Sequence, residues 1–544
     1  MLAEDILLKV NKPARYLGGE INSVVKDNAD VECMIALCFP DVYDIGMSHL
    51  GLKILYSLLN ERKDVACERA FAPWHDLENI MRDKNIPLFT LETKRPLKEF
   101  DIVGFSLQYE LSYTNVLNML DLAGIPAFTK ERNRSHPLII GGGPCTFNPE
   151  PMADFFDCFA IGDGEEVILE IVDAFIKNRR NGEGRTALLQ QLANIEGVYV
   201  PPFLSRVKKR TVLNLDEAPY PVKPIVPYVE VVHDRIQLEV MRGCRGRCKF
   251  CQAGIIYRPI RERSVERLVS LAKKVYENTG YDDISLISLS SGDHSRIKEI
   301  ASSLKDTFNG KGVGISLPSL RAEDLIKSFL FDATSGRRTG LTFAPEVGNE
   351  KMRKIINKDI SLEALKECAH RAFKNGWRRI KLYFMIGLPH EDYRDLDAIV
   401  NLAKEISEIK TRVDGMPADI NCSVSVFIPK PHTPFEGAAM LSIEEVRKRQ
   451  RYIKERSIGS RVKFNFHEAR MSYIEAVLSR GDKKLCICIY NAWKKGCKFD
   501  GWSDYFNFNN WMAAFKEGGI EPDYYSLRER GLEEVPPWDF IEVR

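Results

Sequence analysis

From Cys33 onward the chain alternates short apolar runs with amphipathic stretches. The runs CMIALCF (33–39), DIVGFSL (101–107), PLIIGGG (137–143) and CFAIGDG (158–164) read as strands. Between them LGLKILYSLL (50–59), SYTNVLNMLDLAG (112–124) and EEVILEIVDAFIKN (165–178) carry apolar residues at helical spacing. Strand and helix in alternation predict an α/β domain with a parallel sheet over 31–200, behind an N-terminal arm, 1–30. The Pro-rich DEAPYPVKPIVPYVEVV (216–232) breaks the periodicity and marks a linker, 201–235.

A second alternation then begins. Strands are predicted at IQLEVMRG (236–243), ISLISLS (284–290), GVGISLP (312–318), GLTFAPE (340–346), RIKLYFMIG (379–387) and NCSVSVFIP (421–429), with helices such as 265–280 and 362–376 between them. Six strands with right-handed crossovers curl toward a partial β/α barrel, 236–455, whose chemistry sits at the carboxyl ends of the strands. The aromatic-rich remainder, 456–544, reads as a small α+β domain in which LCICIY (485–490) is strand-like.

Length and charge narrow the picture further. At 544 residues the chain exceeds one hydrophobic core, in keeping with three domains. Its 78 Lys and Arg nearly balance 76 Asp and Glu, so no global field draws it to nucleic acid or membrane. No apolar run has the length of a membrane span and the start lacks signal-peptide order, which predicts a cytoplasmic protein. Thirteen cysteines without a secretion signal favour reduced thiols or metal ligands over disulfides.

Three of those cysteines, Cys244, Cys248 and Cys251, fall within eight positions in GCRGRCKFCQAG, directly after the first barrel strand. Three thiolates leave a tetrahedral zinc site one ligand short, whereas a four-iron cluster accepts three cysteines when its last iron is ligated from elsewhere. Gly243, Gly246 and Gly254 allow the backbone to wrap closely around a bulky core. Three buried thiols, or zinc completed by a distant ligand, are the competing readings. Cys486, Cys488 and Cys497 suggest a second metal site, but core packing accounts for them better. Arg378-Arg379 and Lys494-Lys495 read as solvated faces, and the tail's Trp502, Tyr505, Phe506 and Trp511 as an aromatic core rather than an RNA platform.

The cysteine pattern at the end of strand one of a six-unit β/α chain resembles the signature of the radical S-adenosylmethionine (SAM) enzymes. In that superfamily three cysteines hold a [4Fe–4S] cluster, the open iron chelates SAM, and one electron yields a 5′-deoxyadenosyl radical. The resemblance implies SAM contacts at Ser290, Ser291, Gly292 and Asp293 after strand two, and at Ser316 and Arg321 after strand three. It implies others at Glu346 after strand four and Gly387 in IGLPHE after strand five. An Asp or Ser ending a strand is also a common helix N-cap.

The N-terminal domain is similar to that of the cobalamin-binding subgroup. Ser106 and Leu107, and Gly141, Gly142 and Gly143, resemble two of its three signatures, while the histidine-bearing Asp-x-His-x-x-Gly is absent. His49 lies five residues after Asp44 and two before Gly51, so the resemblance implies no cobalt-ligating histidine from this domain. The plain reading is a tight glycine turn and a satisfied helix histidine. Longer stretches, among them FPDVYDIGMSHLGLKILY, LTFAPEVGNEKMRKIINK and FIPKPHTPFEG, resemble an uncharacterised group of such proteins from anaerobic bacteria. That group carries a further cysteine-containing tail, which implies that this chain is a short or truncated form.

The resemblance thus implies a [4Fe–4S] cluster, SAM and cobalamin as cofactors, an electron donor such as flavodoxin or ferredoxin, and methyl transfer to an unreactive carbon. A methylthiotransferase-like modifier of RNA or protein without cobalamin, and a non-catalytic iron–sulfur carrier or scaffold, are the rivals. No residue marks a catalytic group or a substrate, which could be RNA or a peptide.

Overall fold

The computed structural model describes residues 4–27, 30–203, 206–316, 341–531 and 533–543. Strands β1 (Cys33–Phe39), β2 (Val65–Phe71), β3 (Ile102–Ser106), β4 (Leu138–Gly142), β5 (Cys158–Ala160) and β6 (Val198–Tyr199) form one sheet in the order β2-β1-β3-β4-β5-β6. The first five are parallel and β6 closes the edge antiparallel to β5.

Strand β2, VACERAF, escapes a pattern search because Glu68 and Arg69 interrupt it. Both are buried and paired: Arg69 with Glu20 (2.8 Å) and Glu92 (2.6 Å), and Glu68 with the hydroxyl of Thr93. A charge inside a sheet is tolerated only with such partners.

One face of this sheet packs on the helices Leu50–Glu61 and Gly164–Arg180, through Ile35, Leu37, Ile102 and Ile140. The other face packs on the helix Tyr113–Leu122, of which every residue except Asp121 is buried. That burial has a distant source. The C-terminal helices Ala469–Arg480, Leu485–Lys494 and Phe508–Glu517 share one core with Val103, Val116 and Ile139, so the small domain supplies the outer layer of the N-terminal sheet.

LCICIY is helical, not strand-like. Its two-residue cysteine alternation matches strand period, yet Cys486 meets the carbonyl of Pro151 (3.2 Å) while Cys488 faces Gly518. Facing different neighbours, the two thiols do not form a metal site. Trp511 and Phe515 are fully buried, whereas Trp502 and Tyr505 pack at the surface against Trp74.

After the linker, which contains β7 (Val207–Lys208), the barrel begins with β8 (Ile236–Glu239). A small antiparallel pair follows, β9 (Met241–Arg242) with β10 (Arg261–Glu262). Next come β11 (Asp283–Ile287), β12 (Gly314–Ser316), β13 (Leu341–Glu346), β14 (Arg379–Ile386), β15 (Asp419–Val426) and β16 (Val462–Phe466). They form parallel sheets of order β12-β11-β8 and β13-β14-β15-β16. Their outward residues share a single core with the surrounding helices. All six strands expected in the barrel are present. The seventh, β16, pairs with β15 beyond residue 455, where the barrel was expected to end. The short β17 (Ile541–Glu542) returns to pair with β7.

Candidate functional site

The antiparallel pairing of Arg242 with Arg261 closes residues 243–260 into a loop at the end of β8. Gly243 opens it at φ +86°, with the carbonyls of Tyr257 and Pro259 3.0 Å from where a Cβ would stand. Only glycine suits that combination of backbone and crowding.

Cys244, Cys248 and Cys251 are half-buried, whereas the other ten cysteines are buried and none of the thirteen is in a disulfide. Backbone N–H groups of Gly246 and Gly254 each approach a sulfur, Cys244 Sγ and Cys251 Sγ, at 3.3 Å. Such donors stabilise sulfur that carries negative charge. Burial pushes the Cys248 thiol up to about 11, against the pull of nearby Lys358. Burial likewise raises Cys251, opposed by the Gly254 N–H. Among the described residues no three His, Cys, Asp or Glu side chains converge as the ligands of one metal ion do.

A second segment is stitched to this loop. Lys249 donates its backbone N–H to Ile356 (2.9 Å), and Asn357 donates its side-chain amide to the Arg247 carbonyl (2.9 Å). Lys358, next in sequence, pairs with Glu346 at 2.7 Å. Glu346 itself holds φ +66° at an irregularity in the β13–β14 register, an uncommon conformation for a side-chain-bearing residue. Asp293 lies 4.0 Å from Cys244 Sγ. The structure therefore gathers Asp293 and Glu346 around the cysteine loop.

Other expected residues hold the scaffold. Ser291 donates its hydroxyl to the Leu286 carbonyl (3.1 Å) and is buried, Ser290 is buried beside it, and Gly292 completes the same turn. The Ser316 hydroxyl bonds across the sheet to Ile284 (3.3 Å). The Gly387 N–H donates to Glu391 (2.8 Å), at a backbone φ of +85°. Arg321 lies outside the described residues.

Between this end of the barrel and the N-terminal sheet lies a cavity of about 490 Å³. Ser106, Gly141, Gly142 and Gly143 line one side, and Gly243 and Ser288 the other. Leu107 does not line it: its side chain is buried in the core, and its backbone N–H donates to Gly142 (2.7 Å).

A buried charge network spans the gap. Arg242 meets Glu239 (2.8 Å) on its own side, and Asp163 (3.2 Å) and Glu165 of the N-terminal domain. Burial opposes the ionisation of Glu239, but Arg242 and Arg263 outweigh it and hold its carboxyl below the usual range. Sequence reading missed these residues because their partners lie far apart in the chain, although both stretches, EVMRG and GDGEE, look polar at strand ends.

His49, at the cavity wall, caps the helix Leu50–Glu61: its Nδ1 accepts the Leu52 N–H at 3.2 Å. The neutral ring then carries its proton on Nε2, beside the Gln108 amide, and offers no lone pair to the cavity. Burial draws its pKa down to about 4. Gln108 in turn donates to Ser106 Oγ (2.8 Å).

Comparison with known proteins agrees with this architecture. Residues 238–403 match the family model of the radical SAM superfamily. Residues 51–201 match the model described as radical SAM proteins, N-terminal. The chain belongs to the radical SAM superfamily. Superfamily membership makes it an enzyme whose cofactors are a [4Fe–4S] cluster and SAM, with a need for an external electron donor.

An uncharacterized protein of Methanocaldococcus jannaschii, MJ0966, is 29% identical over 83% of this chain and 89% of its own. The cobalamin-dependent SAM radical enzyme OxsB aligns with a TM-score of 0.52 and 13% identity, over 95% of this chain and 75% of its own. That likeness is one of fold. The radical SAM methyltransferase TsrM of Kitasatospora setae aligns at 0.49 with 13% identity, over 75% of this chain and 76% of its own. Among the described residues no helix is long and apolar enough to cross a membrane.

Proposed function

We propose that this radical SAM enzyme holds its cluster on Cys244, Cys248 and Cys251 and binds cobalamin in the cavity between its two α/β domains. The observation that carries the cobalamin half is the cavity itself. It places the glycine-lined ends of β3 and β4 opposite the first turn of the cysteine loop. OxsB, which shares the fold, is described as a cobalamin-dependent enzyme with aqua-cobalamin and SAM bound. Both donor sets fit their groups. Three half-buried thiols with two N–H donors suit a cluster with one open iron. A recess with no imidazole lone pair turned into it suits a corrin bound without a protein histidine.

When bound, the cluster and SAM supply one-electron cleavage of the sulfonium to methionine and a 5′-deoxyadenosyl radical, and cobalamin supplies the methyl group. The residues of this chain orient and enclose. Asp293 and Glu346 would hold SAM beside the cysteine loop, Lys358 fixing the Glu346 carboxylate, and the turn Ser290–Gly292, with Ser316 and Gly387, would shape the strand ends around it. The Arg242 network ties the N-terminal domain to the barrel at the edge of the gap. The reaction is then methyl transfer to an unreactive carbon of the substrate.

Anaerobic reconstitution with iron, sulfide and cobalamin tests both halves. Reduced protein is expected to release 5′-deoxyadenosine from SAM, to retain cobalamin through gel filtration, and to form S-adenosylhomocysteine only when cobalamin is bound. No 5′-deoxyadenosine would overturn the radical chemistry, and protein that emerges without cobalamin would overturn the second half alone.

A further inference from the structure

The concave side of the barrel's four-stranded sheet carries a feature that the cofactors do not account for. In β14, Arg379, Lys381 and Tyr383 are exposed while Ile380, Leu382 and Phe384 are buried. In β15, Asp419 and Asn421 are exposed while Ile420, Cys422 and Val424 are buried. The buried set packs in one core with residues of the helices Leu362–Lys374 and Tyr393–Asp414. The exposed set therefore faces the lumen.

Parallel register turns these positions into rows. Thr342, Lys381, Asn421 and Lys463 stand side by side on β13, β14, β15 and β16, and all four are exposed. Tyr383, Ser423 and Asn465 form the next row toward the cysteine loop. With strands about 4.8 Å apart, the two lysines are rooted roughly 10 Å from each other on either side of Asn421.

Among the described residues neither lysine has an ion-pair partner, and the two rows contain no carboxylate. Lys381 leans toward the mouth, its Nζ 4.7 Å from the centre of the Tyr383 ring. Asp419, one row deeper, is paired with Arg461 (3.6 Å). Two cations without an ion-pair partner among the described residues, flanked by hydroxyl and amide groups inside a concave wall, focus a positive potential. Such a wall attracts an anion and disfavours a cation.

We propose that this row binds the anionic end of the substrate, a small elongated molecule bearing a phosphate or carboxylate group. The inference rests on the reading of the barrel as the reaction chamber. At about 3.3 Å per residue, Lys381 lies about 17 Å below the carboxyl end of β14. A molecule that touches this row and also reaches the cysteine loop is therefore extended, on the order of 10–15 Å long.

Isothermal titration of the reconstituted protein with pyrophosphate and, separately, with glutarate tests the site. Binding of one or both is expected, pyrophosphate alone assigning a phosphorylated substrate and glutarate alone a carboxylated one. The double variant Lys381→Gln with Lys463→Gln should weaken binding at least tenfold, and arginine at both positions should restore it. Lys404→Gln with Lys448→Gln, the same change of charge on the outer helices, should leave it unchanged. Failure of both anions to bind, or equal binding by the two glutamine pairs, would overturn the proposal. Release of 5′-deoxyadenosine, followed in the same preparations, shows whether the radical SAM reading stands when this one falls.

Discussion

The two α/β halves of the molecule solve the same packing problem differently. In the N-terminal sheet, β2 is buried along its whole length and β1 at all but one position, with helices on both faces. In the barrel, β14 and β15 alternate, one face sealed by helices and the other open and polar. Both are parallel sheets apart from the antiparallel edge strand β6, and parallel sheets ordinarily hide both faces. A sheet that leaves polar side chains on a concave face forgoes apolar burial there, and the sacrifice makes sense where a ligand fills the space. The cysteines divide the same way, ten sealed in cores and three half-buried at the mouth of the open half.

The cysteines offer the largest contrast. Cys248→Ala is expected to lower 5′-deoxyadenosine formation at least a thousandfold, about 4 kcal/mol of barrier, with iron content falling and the melting temperature nearly unmoved. Cys158→Ala, a fully buried thiol in β5, should do the opposite. It keeps iron and turnover and loses about 1 kcal/mol of stability to the small void. Equal iron content in the two variants would erase the distinction.

Packing density gives the next. Phe159 is fully buried, its ring 4.9 Å from Phe156, so Phe159→Ala should cost about 3–5 kcal/mol in urea denaturation. Tyr383, 38% exposed on the lumen face, should cost about 0.5 kcal/mol or less when replaced by alanine. A large loss at Tyr383 would mean that the concave face is a core rather than a binding surface.

How much of this was legible follows from where each residue finds its partners. The apolar strands and the cysteine loop are local patterns, so their positions could be read directly. Strand β2 could not, because the groups that make its Arg69 tolerable, Glu20 and Glu92, are 49 and 23 residues away. The helix Leu485–Lys494 was misread because burial on two sides mimics the alternation of a strand. Arg242 and Glu165 meet across 77 residues, and Lys358 reaches the cysteine loop only through the folded course of the helix Glu350–Ile356. The lysine row needed the strand register, which no single strand contains.

The sealed side also makes charge expensive. Asp500, in the seam between the C-terminal helices and the helix Tyr113–Leu122, accepts the Thr114 hydroxyl at 2.8 Å, and burial raises its pKa to about 6. The folded protein therefore holds this proton more tightly than the unfolded chain, whose Asp titrates near 4. Stability should fall as pH rises through about 4 to 6, by about 2–3 kcal/mol in all. Asp500→Asn, which keeps an acceptor for Thr114, should raise the melting temperature at pH 7.5 and flatten that slope. The same gap between variant and parent at pH 4.5 and pH 7.5 would show that the carboxyl is not held neutral.

The smallest effect separates two neighbouring glycines at the boundary between sealed core and open space. A Cβ on Gly141 would stand 2.7 Å from the Phe159 ring, while one on Gly142 would meet nothing within 4 Å. Gly141→Ala should therefore cost about 1–3 kcal/mol through overpacking, and Gly142→Ala less than about 0.5 kcal/mol. Because Gly142 faces the cavity, a longer side chain there trades space for nothing else: Gly142→Leu should melt like the parent yet retain several-fold less cobalamin after gel filtration. Undiminished retention by that variant would place the corrin elsewhere and leave the cavity between the two halves without its proposed occupant.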